Sequence, residues 1–291
     1  MADLTQLDDL FARLIASPPE HARTSAAYQA LAAQWSAAFR TSAFANAAPT
    51  AVPFGPFGAL TLPYRSMGAI DSVDLFGLDE LILFAFYWAN RARYRRTVDI
   101  GANIGLHSIV MTRCGFAVRA FEPDPVHVEI LRGNLALNGI SGVDVVEAAV
   151  SDRDGATEFV RVKGNTTGSH LAGAKGAPYG ALDRFSVTVR NAFDAVADAD
   201  FAKIDAEGHE AVILRSLPAQ RWQTLDAVVE VGTPENARAL FDHFAALPVG
   251  LFAQKIGWER VRESGDMPTS HREGSVFVSA KSDMPWQGLA P

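Results

Sequence analysis

Between Leu4 and Phe39 the apolar residues Leu7, Leu10, Phe11 and Leu14, and then Tyr28, Leu31, Trp35 and Phe39, return at three- and four-residue spacing, which lines one face of a helix with hydrocarbon. Pro18-Pro19 breaks the pattern, so the chain is expected to open on two amphipathic helices. The period is lost over residues 41–68, where Pro49, Pro53, Pro56 and Pro63 suit a linker or a short-stranded lid. A dense run follows at residues 79–93, with Leu81, Leu83, Phe84, Phe86, Tyr87 and Trp88 apolar enough for a helix lying against a sheet.

Strand-like runs then appear at residues 97–100, 117–121, 143–150, 158–162, 186–190, 201–204, 227–231 and 275–279. Helical patterns at residues 104–114, 125–138, 210–217 and 234–246 separate several of them. This alternation predicts an α/β fold, a Rossmann-like, doubly wound and mostly parallel sheet with an N-terminal helical extension. The expected division is residues 1–74 as the extension, serving as a substrate lid or an oligomer surface, and residues 75–291 as the α/β domain. The glycine-rich tract at residues 152–180 interrupts the rhythm and reads as a hairpin and loop reaching over the end of the sheet.

Composition narrows the picture. Of 291 residues, 48% are hydrophobic and 20% charged, enough to build one sizeable core. A formal net charge of -7 argues against nucleic acid or an anionic membrane as partner. Arg91, Arg93, Arg95 and Arg96 cluster ahead of the first strand and read as a solvated helix end. Cys114 is the single cysteine, which excludes an internal disulfide or a thiolate metal cluster and suits a reducing compartment. Met1 to Glu20 contains Asp8, Asp9 and Glu20 without an apolar core, unlike a secretory signal, and no stretch is apolar enough to span a bilayer. A cytoplasmic protein is expected.

Candidate chemistry begins at Val98-Asp99-Ile100-Gly101-Ala102-Asn103-Ile104-Gly105. An apolar strand runs into a turn and then a helix, and Gly101 and Gly105 permit close backbone approach at the carboxyl end of the strand. The next strand ends in Phe121-Glu122-Pro123, with Glu122 lying 17 residues beyond Gly105, where an acid can accept both hydroxyls of a ribose. The loop lacks the third glycine that lets a pyrophosphate approach, and Asp99 stands where a cationic amine is the better partner, so an aminoacyl tail fits better than a diphosphate.

These segments, with Ala149-Val150-Ser151-Asp152, the longer run Phe201-Ala202-Lys203-Ile204-Asp205-Ala206-Glu207-Gly208-His209-Glu210 and Glu230 at the end of a later strand, resemble the FkbM-type methyltransferases over roughly residues 75–280. That family uses S-adenosylmethionine and mostly O-methylates sugars and other hydroxylated small molecules. The resemblance implies that Asp99, Gly101, Ala102, Asn103 and Gly105 cradle the methionine part of the cofactor. Glu122, with Pro123, would hold the ribose, and Ala149 and Val150 would border the adenine.

The residues of the long run agree with this reading. Asp205 follows an apolar strand, Gly208 permits a turn and a helix begins at Glu210, so Asp205, Glu207 and His209 gather at the ligand edge of the sheet. Methyl transfer to oxygen is an in-line displacement in which the protein holds the acceptor and takes its proton. His209, Asp205 and Glu230 are the candidate bases, and Asp205 also stands where it can orient the cofactor's amino group. Glu207, His209, Asn165 and Ser169 are the candidate acceptor contacts, the last two from a polar loop suited to a sugar. Trp258 and His271 are weaker candidates for the pocket wall, read first as core or rim residues.

A divalent cation held by Asp205, Glu207, Glu230 and His209 is a secondary reading and no metal is assigned. The expected activity is therefore S-adenosylmethionine-dependent O-methylation of a small-molecule acceptor, with a carbohydrate favoured. Homo-oligomers through the N-terminal helices are compatible with it. The alternatives are a nicotinamide-dependent oxidoreductase on the same fold and a non-catalytic cofactor-binding partner protein.

Overall fold

The computed structural model describes residues 3–46, 48–174 and 180–286, so the end of the glycine-rich tract, residues 175–179, lies outside the described residues. The helices α1 (Leu7–Ala16) and α2 (Ala26–Arg40) form where the spacing predicts them, on either side of a turn at Pro18–His21. Ser25 caps α2, its Oγ accepting the Tyr28 N–H at 3.0 Å. The apolar stripes of both helices point inward. Phe11 and Phe39 join Phe54, Phe57, Phe76 and Phe84 in one aromatic cluster, with Phe39 stacked on Phe76 at 4.7 Å. The extension thereby shares a core with α3 (Leu78–Ala89), and an oligomer built on these helices would have to use their polar faces. A small antiparallel hairpin, β1 (Ala51–Pro53) and β2 (Ala59–Thr61), follows α2.

The α/β part begins with β3 (Arg96–Ile100), α4 (Leu106–Arg113), β4 (Ala117–Phe121), α5 (Pro125–Leu137) and β5 (Asp144–Val146). Next come β6 (Ala149–Ser151), β7 (Gly155–Val162), β8 (His170–Leu171), β9 (Leu182–Asn191) and the short α6 (Ala192–Ala195). The chain closes with β10 (Phe201–Ile204), α7 (Glu210–Arg215), β11 (Asp226–Glu230), α8 (Pro234–Ala245), β12 (Gly250–Ala253), β13 (Glu259–Arg260) and β14 (Ser275–Ser279).

Eight strands form the main sheet in the order β13-β12-β14-β11-β10-β3-β4-β5. The pairs from β11 through β5 are parallel, and β14, β12 and β13 add an antiparallel edge. The Rossmann-like expectation holds for this sheet, while β12 and β13 carry no period of their own in the sequence. Alternation along each strand fills two cores: Phe201 faces α3 and α4, whereas Val98, Ile100, Ala202 and Ile204 face α7 and α8.

Residues 143–150, expected as one strand, are two. After β5 a turn closes with the Ala148 N–H on Val146 O at 2.9 Å, and β6 leaves for a second sheet of order β6-β9-β7-β8. The loop between β7 and β8 meets the segment ahead of α3: Ala69 N–H donates to Gly164 O at 2.7 Å and Thr166 N–H to Met67 O at 2.9 Å. Gly68 has φ +101, and a Cβ there would lie 2.1 Å from Gly164 O, so the two backbones meet only because residue 68 is glycine. Arg40 ties the same segment to α2 by pairing with Asp71 and Asp74.

Candidate active site

The strand order reverses at β3: β4 and β5 follow on one side, β10 and β11 on the other. Register aligns Ile100 with Phe121 and with Ile204, so these strands end at one level. A cleft of about 470 Å³ opens above their carboxyl ends, roofed by Ile70, Leu75 and the loop around Thr166 and Thr167, at the position where open α/β sheets bind ligands.

The turn after β3 forms one wall. Gly101 has φ +77, and its missing Cβ would stand 1.8 Å from the Asp205 carbonyl oxygen, so the turns after β3 and β10 touch backbone to backbone at that point. Asn103 follows with φ 51, a left-handed conformation that asparagine tolerates better than most residues. Its N–H donates to Glu122 Oε2 at 2.8 Å, and Asp124 N–H donates to Glu122 Oε1 at 2.9 Å. Burial pushes the Glu122 carboxyl up to about 7, with the two backbone donors pulling the other way. The carboxyl is thus fixed in orientation, and each oxygen keeps a lone pair for a ligand hydroxyl.

Of the residues expected at the cofactor, Gly101, Asn103, Glu122, Pro123, Ala149, Val150 and Asp205 line the cleft. The structure corrects the expectation for Asp99. Its side chain is fully buried behind the turn, accepting from Ser108 Oγ at 2.7 Å and facing Lys203 Nζ at 3.8 Å. The reason is strand alternation: Asp99 and Lys203 are direct cross-strand neighbours on the α3 and α4 side of the sheet. Ala102 and Gly105 also stand behind the surface. Ala102 N–H joins Gly101 N–H on the Phe121 carbonyl, and Gly105 N–H closes on Ala102 O at 2.8 Å.

Lys203 organises the charges of this end. Its ammonium lies 3.3 Å from Gly101 O and 3.4 Å from Asp205 Oδ2. Burial opposes its charge, but Asp205, Asp99, Glu80 and Glu230 together more than offset that and hold its pKa above the ordinary value. Glu230 is driven the other way. Burial, then repulsion from Asp205, Glu80 and Glu207, raises it well above the usual carboxylate range, which favours its protonated form.

His209, Asp205 and Glu207 on the turn after β10 and Glu230 at the end of β11, the expected catalytic and acceptor-binding residues, all line the cleft, as do Asn165 and Ser169 from the roof. His209 Nε2 lies 2.8 Å from Ser151 Oγ. Burial lowers its pKa, with Asp152 acting in the opposite sense, so the ring is neutral at pH 7. Glu207 takes φ 52. Glu210 holds this turn: its Oε1 accepts Ala206 N–H at 2.9 Å and Gly208 N–H at 3.0 Å, and its Oε2 accepts from Asn236 Nδ2 at 2.6 Å. Ser169 Oγ is engaged by Val162 N–H at 3.1 Å. His271 lines the cleft, whereas Trp258 is buried in the core and donates from Nε1 to His21 Nδ1 at 2.9 Å.

Among the described residues no lysine or arginine lines the cleft, and no group of three or more His, Cys, Asp and Glu is placed to hold a metal ion. The cluster of arginines before β3 lies at the other end of that strand, where Arg91 stacks on Trp88 at 4.2 Å. Two features escaped the sequence reading. Lys203 had a signal, a lone charge inside a four-residue apolar strand, which must be paired to be buried. Glu80, on α3, carries no motif and reaches the cleft only through tertiary packing.

Comparison with known proteins gives three findings. The family model described as the Methyltransferase FkbM domain matches residues 99–247. Methyltransferase sdnD of Sordaria araneosa is 30% identical over 178 residues, which cover 48% of this chain and 68% of that protein. Methyltransferase 1 of Beauveria bassiana (strain ARSEF 2860) is 26% identical over 156 residues, covering 45% of this chain and 62% of that protein.

Proposed function

We propose that this chain, which belongs to the FkbM methyltransferase family, uses S-adenosylmethionine to methylate a hydroxyl of a small molecule, with a sugar or glycosylated natural product as the favoured acceptor. The observation that carries the cofactor reading is Glu122, which lines the cleft beside the Gly101 turn and is fixed there by one backbone N–H group on each oxygen, so that either oxygen can still accept a ligand hydroxyl. When bound, the cofactor supplies an electrophilic methyl group on a sulfonium. Ala149 and Val150 offer an apolar wall to its adenine, and the acid-lined end beneath Gly101 suits its cationic tail.

The acceptor end supports a neutral, hydroxylated ligand. Asn165, Thr166, Thr167 and Ser169 face it from the roof, and the absence of lining cations among the described residues gives a phosphate or carboxylate nothing to pair with. His209, kept neutral by burial, is the side chain suited to take the hydroxyl proton, and Ser151 orients its ring. Glu230, driven toward its protonated form, suits a donor role instead.

Isothermal titration with S-adenosylmethionine, S-adenosylhomocysteine, NAD and NADP tests this reading. Binding of the first two alone is expected and would justify an acceptor screen beginning with sugars. Binding of a nicotinamide nucleotide alone refutes it. Cofactor binding without turnover on any acceptor of the screen favours a non-catalytic binding protein.

A further inference from the structure

We propose that Glu80 receives the α-ammonium group of the cofactor's aminoacyl tail, positioned for that task by His107 and Tyr87. The inference rests on the S-adenosylmethionine reading above and adds a residue that lies outside the segment matched by the family model.

Glu80 stands in the first turn of α3 and lines the cleft. Its Oε2 lies 2.8 Å from His107 Nε2, and His107 Nδ1 lies 2.9 Å from the hydroxyl of fully buried Tyr87. His107 Nε2–H donates to Glu80 in either state of the ring, while Nδ1 accepts the Tyr87 O–H when the ring is neutral and donates to the Tyr87 oxygen when it is charged, so the three side chains form one chain from the core to the cleft wall. This fixes the carboxylate through one oxygen and leaves Oε1 for a ligand donor. Burial alone would raise the Glu80 pKa, but His107, then Lys203, hold it below the ordinary value, so the group faces the cleft as an anion.

Asp99, Asp205 and Glu230 are less suited to the task. Asp99 is buried against Lys203 and Ser108. Asp205 lies 3.4 Å from Lys203 Nζ, and Glu230 is pushed toward its neutral form. Glu122, at the tip of β4, is assigned to the ribose hydroxyls in the S-adenosylmethionine reading. A second acceptor stands nearby along the chain: Asn103 lines the cleft four residues ahead of His107, and its Oδ1 is buried without a hydrogen-bond partner. An ammonium has three donors and no acceptor, which matches an anionic oxygen and an unmatched amide oxygen on residues lining the same cleft.

The test is calorimetric titration of the full chain with S-adenosylhomocysteine and with 5′-methylthioadenosine, which lacks the aminoacyl tail. Wild-type protein should bind the first more tightly. Glu80→Gln keeps the shape and loses the charge, and should weaken S-adenosylhomocysteine by about 10- to 100-fold while changing 5′-methylthioadenosine by less than about twofold. His107→Phe should give the same selective loss with a smaller factor, because it frees the carboxylate to turn away. Equal losses for both ligands in Glu80→Gln overturn the proposal by making Glu80 a structural residue, and unchanged affinity for both overturns it directly. Equal affinity of the wild type for the two ligands overturns it without any variant. Wild-type protein that binds neither ligand refutes the cofactor reading itself, which is a different failure.

Discussion

Lys203→Met removes the cation on which the buried charges beneath the cleft depend. In the folded protein Asp99 is 0% exposed and its Oδ1 has no hydrogen-bond donor, so the Lys203 ammonium at 3.8 Å is its compensating charge. Without it the least costly relaxation is for Asp99 to take up a proton. Holding an aspartic acid of ordinary pKa, about 3.9, protonated at pH 7 costs about 4 kcal/mol, inside the range of about 3–5 kcal/mol found when a buried pair loses one partner. The cost falls by about 1.4 kcal/mol per pH unit, so the variant should lose about 4 kcal/mol at pH 7 and about 1.5 kcal/mol at pH 5 in urea unfolding. Lys203 itself does not titrate in this window. Its folded-state pKa is raised, so its contribution is fully present below the unfolded lysine value and is lost only as pH rises through the folded one. Asp99→Asn introduced into Lys203→Met should recover most of the loss at pH 7. A loss that is flat between pH 5 and 7, or that Asp99→Asn leaves in place, refutes the reasoning.

Glu122 predicts a pH dependence of cofactor affinity. Its folded pKa is raised to about 7 by burial, so in the free protein its ionisation works against folding as pH climbs from the unfolded carboxylate value toward 7. Ribose hydroxyls donate to the ionised form, so S-adenosylhomocysteine affinity should rise through about pH 7 and level off above it, with proton release visible as a buffer-dependent enthalpy. Glu122→Gln should lose about 1–3 kcal/mol of binding and most of that slope; a wild-type affinity independent of pH from 6 to 8 would remove Glu122 from the ribose. For His209→Ala the expected result is retained S-adenosylhomocysteine binding with lost methyl transfer to whichever acceptor the screen identifies. Near-normal turnover would pass the proton-accepting role to Asp205 or water.

Packing also explains why the amino-terminal segment matters to a site built at the ends of β3, β4, β10 and β11. Ile70, Asp74 and Leu75 reach the cleft because α1 and α2 bury their apolar stripes against α3 and because Gly68 allows two backbone hydrogen bonds to the loop after β7. The same packing sets α3 beside α4, which brings Glu80 to His107.

What the sequence determined by itself is local and periodic. The stripes of α1, α2 and α8, the apolar runs of β3, β4 and β10, and the glycine turn at Gly101 each follow from spacing that acts within a few residues, and they sufficed for the sheet type and for most of the cleft wall. Strands β12 and β13, the split between β5 and β6, the burial of Asp99 and the roles of Lys203 and Glu80 were decided by tertiary structure. Each depends on which residue a strand or helix finds opposite it across a distance of tens to more than a hundred residues. Asp99 and Lys203 are 104 positions apart and become direct neighbours only through the β3 and β10 register, and that pairing turned an apparent ligand contact into a buried ion pair.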